Sequence, residues 1–228
     1  PYAGDDKVRH IVGLSLHEAI LNIYPDLTEN DYSLLHKNFV EHFQYLRTLK
    51  DHDEPLYEGI KDTILELNKM GIILGVATGK STRGLINTLD NHGLKDYFVT
   101  LNTADDGPGK PNPAMINAAL SDTGVLRANT YMIGDTTYDM VMAKQAGVHS
   151  VGVTWGYHEK HDLVSSGADH IIDHISEFNH IDDEFIEKQI HLVSIEDLEK
   201  IMQEAIVNEE YEIAAEIRDR INTLKEGE

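Results

Sequence analysis

Two carboxylates four residues apart, Asp135 and Asp139, follow the apolar run Thr130-Tyr131-Met132-Ile133 and open a helical stretch. Behind a buried strand such a pair could do no more than cap the helix. It could equally hold a hard cation, because Mg²⁺ takes one or two protein carboxylates and completes its shell with water and phosphate oxygens. Thr78 and Gly79 follow a second apolar run, Ile72 to Ala77. The threonine offers a hydroxyl, and the glycine leaves neighbouring N–H groups open to a phosphate. A plain strand-to-helix turn with Ser81 as N-cap would use the same residues. Lys110 sits in Gly109-Lys110-Pro111-Asn112-Pro113, where the prolines restrict the backbone on either side. A cation at a helix start is disfavoured by the helix dipole, an objection that a nearby anion removes. The stretch ending in Gly79-Lys80-Ser81 is not a nucleotide-binding P-loop, since the required upstream glycine would fall on Leu74.

The elements that must position these residues follow from periodicity. Apolar residues at three- and four-residue steps, Leu34 to Leu49, predict helices packed on helices over the first 50 residues. A helix ending at Met70-Gly71 precedes a predicted strand over 72–77. Further helices are predicted over 82–92, 113–120 and 138–146, and strands over 97–100, 130–133, 150–153 and 170–172. Strands alternating with helices argue for βαβ units and a parallel sheet, with ligands beyond the strands' carboxyl ends. All three polar clusters stand at such ends.

The chain has 228 residues, 40 acidic and 19 basic, for a formal charge of −21. That charge repels polyphosphate backbones, so nonspecific nucleic-acid binding is not expected. The absence of cysteine excludes a disulfide scaffold, thiolate zinc sites and cysteine nucleophiles. A cytoplasmic location is expected, and no apolar run approaches the roughly 18 residues of a membrane span. Acidity is uneven: residues 173–228 alone carry a net −12, which marks a composition break near Asp173. The expected organisation is a helical region over 1–54, an α/β core over 55–173, an acidic linker over 174–193 and a helical hairpin over 194–228. Of the 13 histidines, the pairs 158/161 and 170/174 lack a third ligand and read as solvated surface. Only His158 lies beside the candidate site. Lys80 and Arg83 read as helix surface.

In this order and at these strand ends, Thr78, Lys110, Asp135 and Asp139 resemble the haloacid dehalogenase superfamily, in its phosphoglycolate phosphatase-like branch. The resemblance spans roughly residues 8–178 and makes the preceding helices the family's small helical cap. It implies a Rossmann-like parallel sheet and hydrolysis of a small phosphorylated metabolite. Thr78 would hold the transferred phosphoryl group with Gly79, and Lys110 would neutralise phosphate and nucleophile. Asp135 and Asp139 would bind Mg²⁺. Val153 to His158 also resembles these phosphatases and would shape the site.

The family's first motif, Asp-x-Asp-Gly-Thr, which supplies nucleophile and general acid–base, has no match in the sequence. Asp5-Asp6 has no apolar strand before it and no Gly-Thr after it. The expectation is a truncated reading frame, and for these 228 residues little or no phosphatase activity. The strand carrying that motif lies between those ending at Thr78 and Asp135, so two inner strand edges are expected to be unpaired. Residues 194–225, with Leu198, Ala214-Ala215 and Arg218-Asp219, resemble the UVR motif, the helical hairpin through which bacterial excinuclease subunits associate. The resemblance implies a protein partner or self-association, and leaves open a non-catalytic interaction protein as the alternative function. A metal-independent dehalogenase is disfavoured by the acidic pair.

Overall fold

The computed structural model describes residues 4–46, 54–178 and Arg218. The chain divides into two compact units, Pro1–Ser176 and Glu177–Glu228. The linker and hairpin expected over 174–193 and 194–228 lie almost wholly outside the described residues.

The first unit opens with three helices, α1 (Asp5–Ile11), α2 (Leu16–Ile23) and α3 (Glu29–Leu46). Ser15 and Glu18 close a capping box at the start of α2, and Ala19 and Ile20 are buried. The helix–helix burial expected along α3 is not found. Leu34, Phe39 and Phe43 are exposed, and no α3 residue is buried among the described residues. Its apolar residues stack partly on one another, as the parallel Phe39 and Phe43 rings show.

The α/β part follows as α4 (Ile60–Lys69), β1 (Gly75–Ala77), α5 (Thr82–His92), β2 (Thr100–Asn102), α6 (Ala114–Thr123), β3 (Tyr131–Gly134), α7 (Thr137–Ala146), β4 (His149–Val153), α8 (Lys160–Ser165) and β5 (His170–Ile172). Two predicted strands shift. The first is shorter than 72–77, because the Ile72 N–H returns to the Leu67 carbonyl and holds the chain in the helix-ending turn. The run at 97–100 is displaced to 100–102, since Lys95–Tyr97 forms a single 3₁₀ turn after Leu94.

All strand pairs are parallel, as βαβ connections require, but the strands form two sheets, β1-β2 and β3-β4-β5. The division falls between the strands ending at Thr78 and Asp135, where the resemblance placed a further strand. Val76 and Ala77 of β1 point to opposite faces. Val76 joins Leu85, Leu89 and Leu94. Ala77 packs with Met132 of β3 on Met115, Ile116, Met142 and Ala143 of α6 and α7. That second cluster holds the two sheets side by side.

The open edges are legible from the hydrogen bonds. The Thr78 N–H reaches the Asn102 carbonyl, and the Thr130 carbonyl accepts from His149. By the alternation of a parallel ladder, Ala77 and Ile133 direct their amides away from β2 and β4. Ile133 is 36% exposed, whereas Val151 of β4 is fully buried. In hydrogen-exchange NMR the Ala77 and Ile133 amides should exchange more than about tenfold faster than Val151. Equal protection would mean that something pairs with these edges.

Candidate active site

Each candidate residue lies just beyond the carboxyl end of a strand or at the mouth of the helix that follows. α7 begins with a capping box: the Asp139 N–H reaches the Thr136 hydroxyl, and Asp139 Oδ2 accepts from the Thr136 N–H and hydroxyl at 3.1 and 2.7 Å. The N-cap is therefore Thr136, and the N-cap role considered for Asp135 falls to its neighbour. Asp139 Oδ1 accepts from Lys110 Nζ at 2.6 Å. This ion pair is buried, with Lys110 7% and Asp139 2% exposed. The dipole at the start of α6 is thus offset by an anion of the protein itself.

Asp135 is held differently. Its Oδ2 accepts the Tyr157 N–H at 3.0 Å, and its carbonyl accepts the His158 N–H at 3.2 Å. No hydrogen bond involves its Oδ1 among the described residues. Gly156 is needed for this approach, because a Cβ there would overlap the Cβ and Oδ2 of Asp135. The donor set fits a hard cation that takes few protein ligands: Asp135 has an oxygen to offer, while both Asp139 oxygens are engaged. No group of three or more potential ligands occurs among the described residues.

Thr78 and Gly79 form the other wall. The Thr78 hydroxyl accepts the Lys80 N–H at 3.2 Å, and Ser81 caps α5 through the Gly84 N–H. Lys80 Nζ pairs with Glu54 and Thr88, as its surface reading implied. The α1–α2 turn joins the two walls. A Cβ on Gly79 would lie 2.6 Å from the Leu14 carbonyl oxygen, and one on Gly13 would lie 2.9 Å from the Thr136 methyl. Glu18 of α2 presses on Gly109, beside Lys110.

Sequence reasoning passed over this turn, Glu18 and Tyr57. Partial burial of this 53% exposed residue, and next the charge of Asp135, push the Tyr57 phenol above its usual range. The Gly13-Leu14-Ser15 stretch and the Ser15/Glu18 capping signal could have flagged the turn. His158, grouped with surface histidines by its spacing to His161, is 4% exposed, because it lies under His10 and Tyr138. Burial, and next the charge of His10, push its imidazole below the usual range. His161, His170 and His174 are exposed.

Breaking the ion pair from one side should be costly. Asp139→Ala leaves the Lys110 ammonium buried without its partner and removes the α7 capping box, and should destabilise by about 3–5 kcal/mol in urea unfolding. Lys110→Met leaves Asp139 on its Thr136 donors and should cost less.

Residues 2–153 match the family model for haloacid dehalogenase-like hydrolases, and residues 193–227 match the UvrB/uvrC motif. The chain is 29% identical over 168 residues to phosphoglycolate phosphatase of Vibrio vulnificus, covering 73% of this chain and 72% of that protein. It is 28% identical over 173 residues to pyrophosphatase PpaX of Bacillus pumilus, covering 75% and 77%. The structure of a predicted phosphoglycolate phosphatase from Haemophilus somnus superposes with a TM-score of 0.68 at 25% identity, covering 79% of this chain and 83% of that one. With Thr78, Lys110 and Asp135 gathered around one end of a parallel fold, the chain belongs to the haloacid dehalogenase-like hydrolase family.

Proposed function

We propose that this site is built for phosphate monoester hydrolysis on a small metabolite, and that these 228 residues alone provide its binding half without its nucleophile. The observation that carries the reading is the Asp135 carboxylate beyond β3, held through Oδ2 by the Tyr157 N–H and with no hydrogen bond to Oδ1 among the described residues, one helical turn from the buried Lys110–Asp139 pair. Lys110, Thr78 and Gly79 are read as the phosphate cradle. Lys110, itself buried, supplies fixed positive charge at a position where a low dielectric strengthens electrostatic stabilisation. The Thr78 hydroxyl and the Gly79 backbone N–H are read as the groups that orient the oxygens. Asp135 is read as the principal Mg²⁺ ligand, with Asp139 as the second acid; a bound Mg²⁺ would spread the charge of the phosphoryl oxygens.

A monoester gives up its phosphoryl group to a carboxylate nucleophile in this reading, and water then releases phosphate. The sequence offers no Asp-x-Asp-Gly-Thr to accept it. Relatives named for phosphoglycolate and for pyrophosphate leave the substrate a small phosphorylated compound, and phosphoglycolate is the first to try. A cytoplasmic location belongs to the same reading, and the lack of cysteine is compatible with it. Among the described residues no helix is long and apolar enough to cross a membrane.

The UvrB/uvrC match favours a second role, in which residues 193–227 dock on a protein partner or a second copy. Sedimentation of the full chain against one ending at residue 192 tests self-association.

Calorimetric titration with Mg²⁺ tests the first reading. The 228-residue chain should bind Mg²⁺, and Asp135→Asn should weaken binding at least about tenfold. It should not turn over phosphoglycolate. Mg²⁺-dependent turnover that disappears in Asp135→Ala would overturn the claim of inactivity, and absence of Mg²⁺ binding would overturn the ligand assignment.

A further inference from the structure

We infer that His158 is a positioning residue, whose imidazole locks the backbone that aims the Asp135 carboxylate. Asp135 is held on one side by the consecutive residues Gly156, Tyr157 and His158. Gly156 admits the side chain, Tyr157 donates to Oδ2, and the His158 N–H donates to the Asp135 carbonyl. Those main-chain bonds hold only while the loop keeps its distance from the start of α7. The His158 ring sets that distance. Its Nδ1 accepts the Thr137 N–H at 3.0 Å, one of the donors a helix start leaves without an intrahelical partner.

Accepting at Nδ1 requires the tautomer that carries its proton on Nε2. Nε2 is buried and has no hydrogen-bond partner among the described residues. The ring is wedged edge-on between His10 at 5.1 Å and Tyr138 at 5.6 Å. Tyr138 in turn donates to the His10 carbonyl at 2.8 Å. α1 therefore presses the imidazole onto α7, and the imidazole holds the loop onto Asp135.

The inference rests on reading Asp135 as a metal ligand. Partners that orient a ligating carboxylate typically cost tenfold to a hundredfold in metal affinity when removed. Mn²⁺ binding by the 228-residue chain, measured by electron paramagnetic resonance, is the probe. His158→Ala should weaken it by about tenfold or more. His158→Asn, whose amide oxygen can replace Nδ1 as acceptor, should restore it. Leu163→Ala, in a fully buried position on α8, should lower Tm without changing Mn²⁺ affinity. Unchanged affinity in His158→Ala, or an equal loss in Leu163→Ala, would overturn the inference.

If the wild-type chain binds no Mn²⁺, the ligand assignment fails and NMR of the metal-free protein decides the clasp. The expected result is an unprotonated Nδ1, with displaced Asp135 carboxyl and Tyr157 amide signals in His158→Ala. A protonated Nδ1, or signals that do not move, would overturn the clasp itself.

Discussion

The ion pair between Lys110 and Asp139 is the constraint on which the site depends. It joins the proline-bounded loop before α6 to the first turn of α7. The same Asp139 closes the α7 capping box, so one carboxylate meets three donors on two elements. A buried ion pair is poor evidence of net stability, since desolvation offsets much of its attraction. Its value is positional: removing either partner leaves the other buried without its opposite charge. The pair also keeps a cation at a helix start, where the dipole alone would expel it.

The same economy runs through the fold. β1 has only three residues, yet its two faces feed two different apolar clusters through Val76 and Ala77. The α6/α7 cluster carries Ala77 and Met132 together and so bridges two sheets that share no strand pair. Side-chain packing does here what backbone hydrogen bonds do inside an unbroken sheet. The weakness of that substitution appears on the opposite face, where Ile133 stands exposed at an open edge.

Much of this could be read from residue order. β3, β4 and β5 were legible because short runs bearing Val and Ile alternate with helical stretches and their stop signals. Glycine stops at 71, 93, 124 and 147 mark helix ends directly, each with a positive φ. The division of the sheet was legible only through the family resemblance, as no local signal reports a strand that the sequence does not hold. β2 was misplaced because Tyr97 and Phe98 look like strand residues, yet they serve the α5 cluster from a 3₁₀ turn. The Gly13–Leu14 turn and the burial of His158 escaped for another reason. Both depend on contacts between α1 or the turn after it and residues more than sixty positions away, and neither changes a local pattern.

Every signature residue of the site except Asp135 has a structural task that phosphate chemistry does not require. Thr78 holds the Lys80 amide, Lys110 neutralises Asp139, and Asp139 caps α7. Selection for folding alone would keep these three, so their presence distinguishes weakly between an enzyme and a scaffold descended from one. Asp135 is different. The protein commits the Tyr157 and His158 amides, a glycine that tolerates no side chain and a buried imidazole to fixing a carboxylate that keeps one oxygen unclaimed among the described residues. Capping does not explain that arrangement, because Thr136 caps the helix. A carboxylate held so firmly and left half unused is a ligand in waiting, and the function of the fold is most directly read at that oxygen.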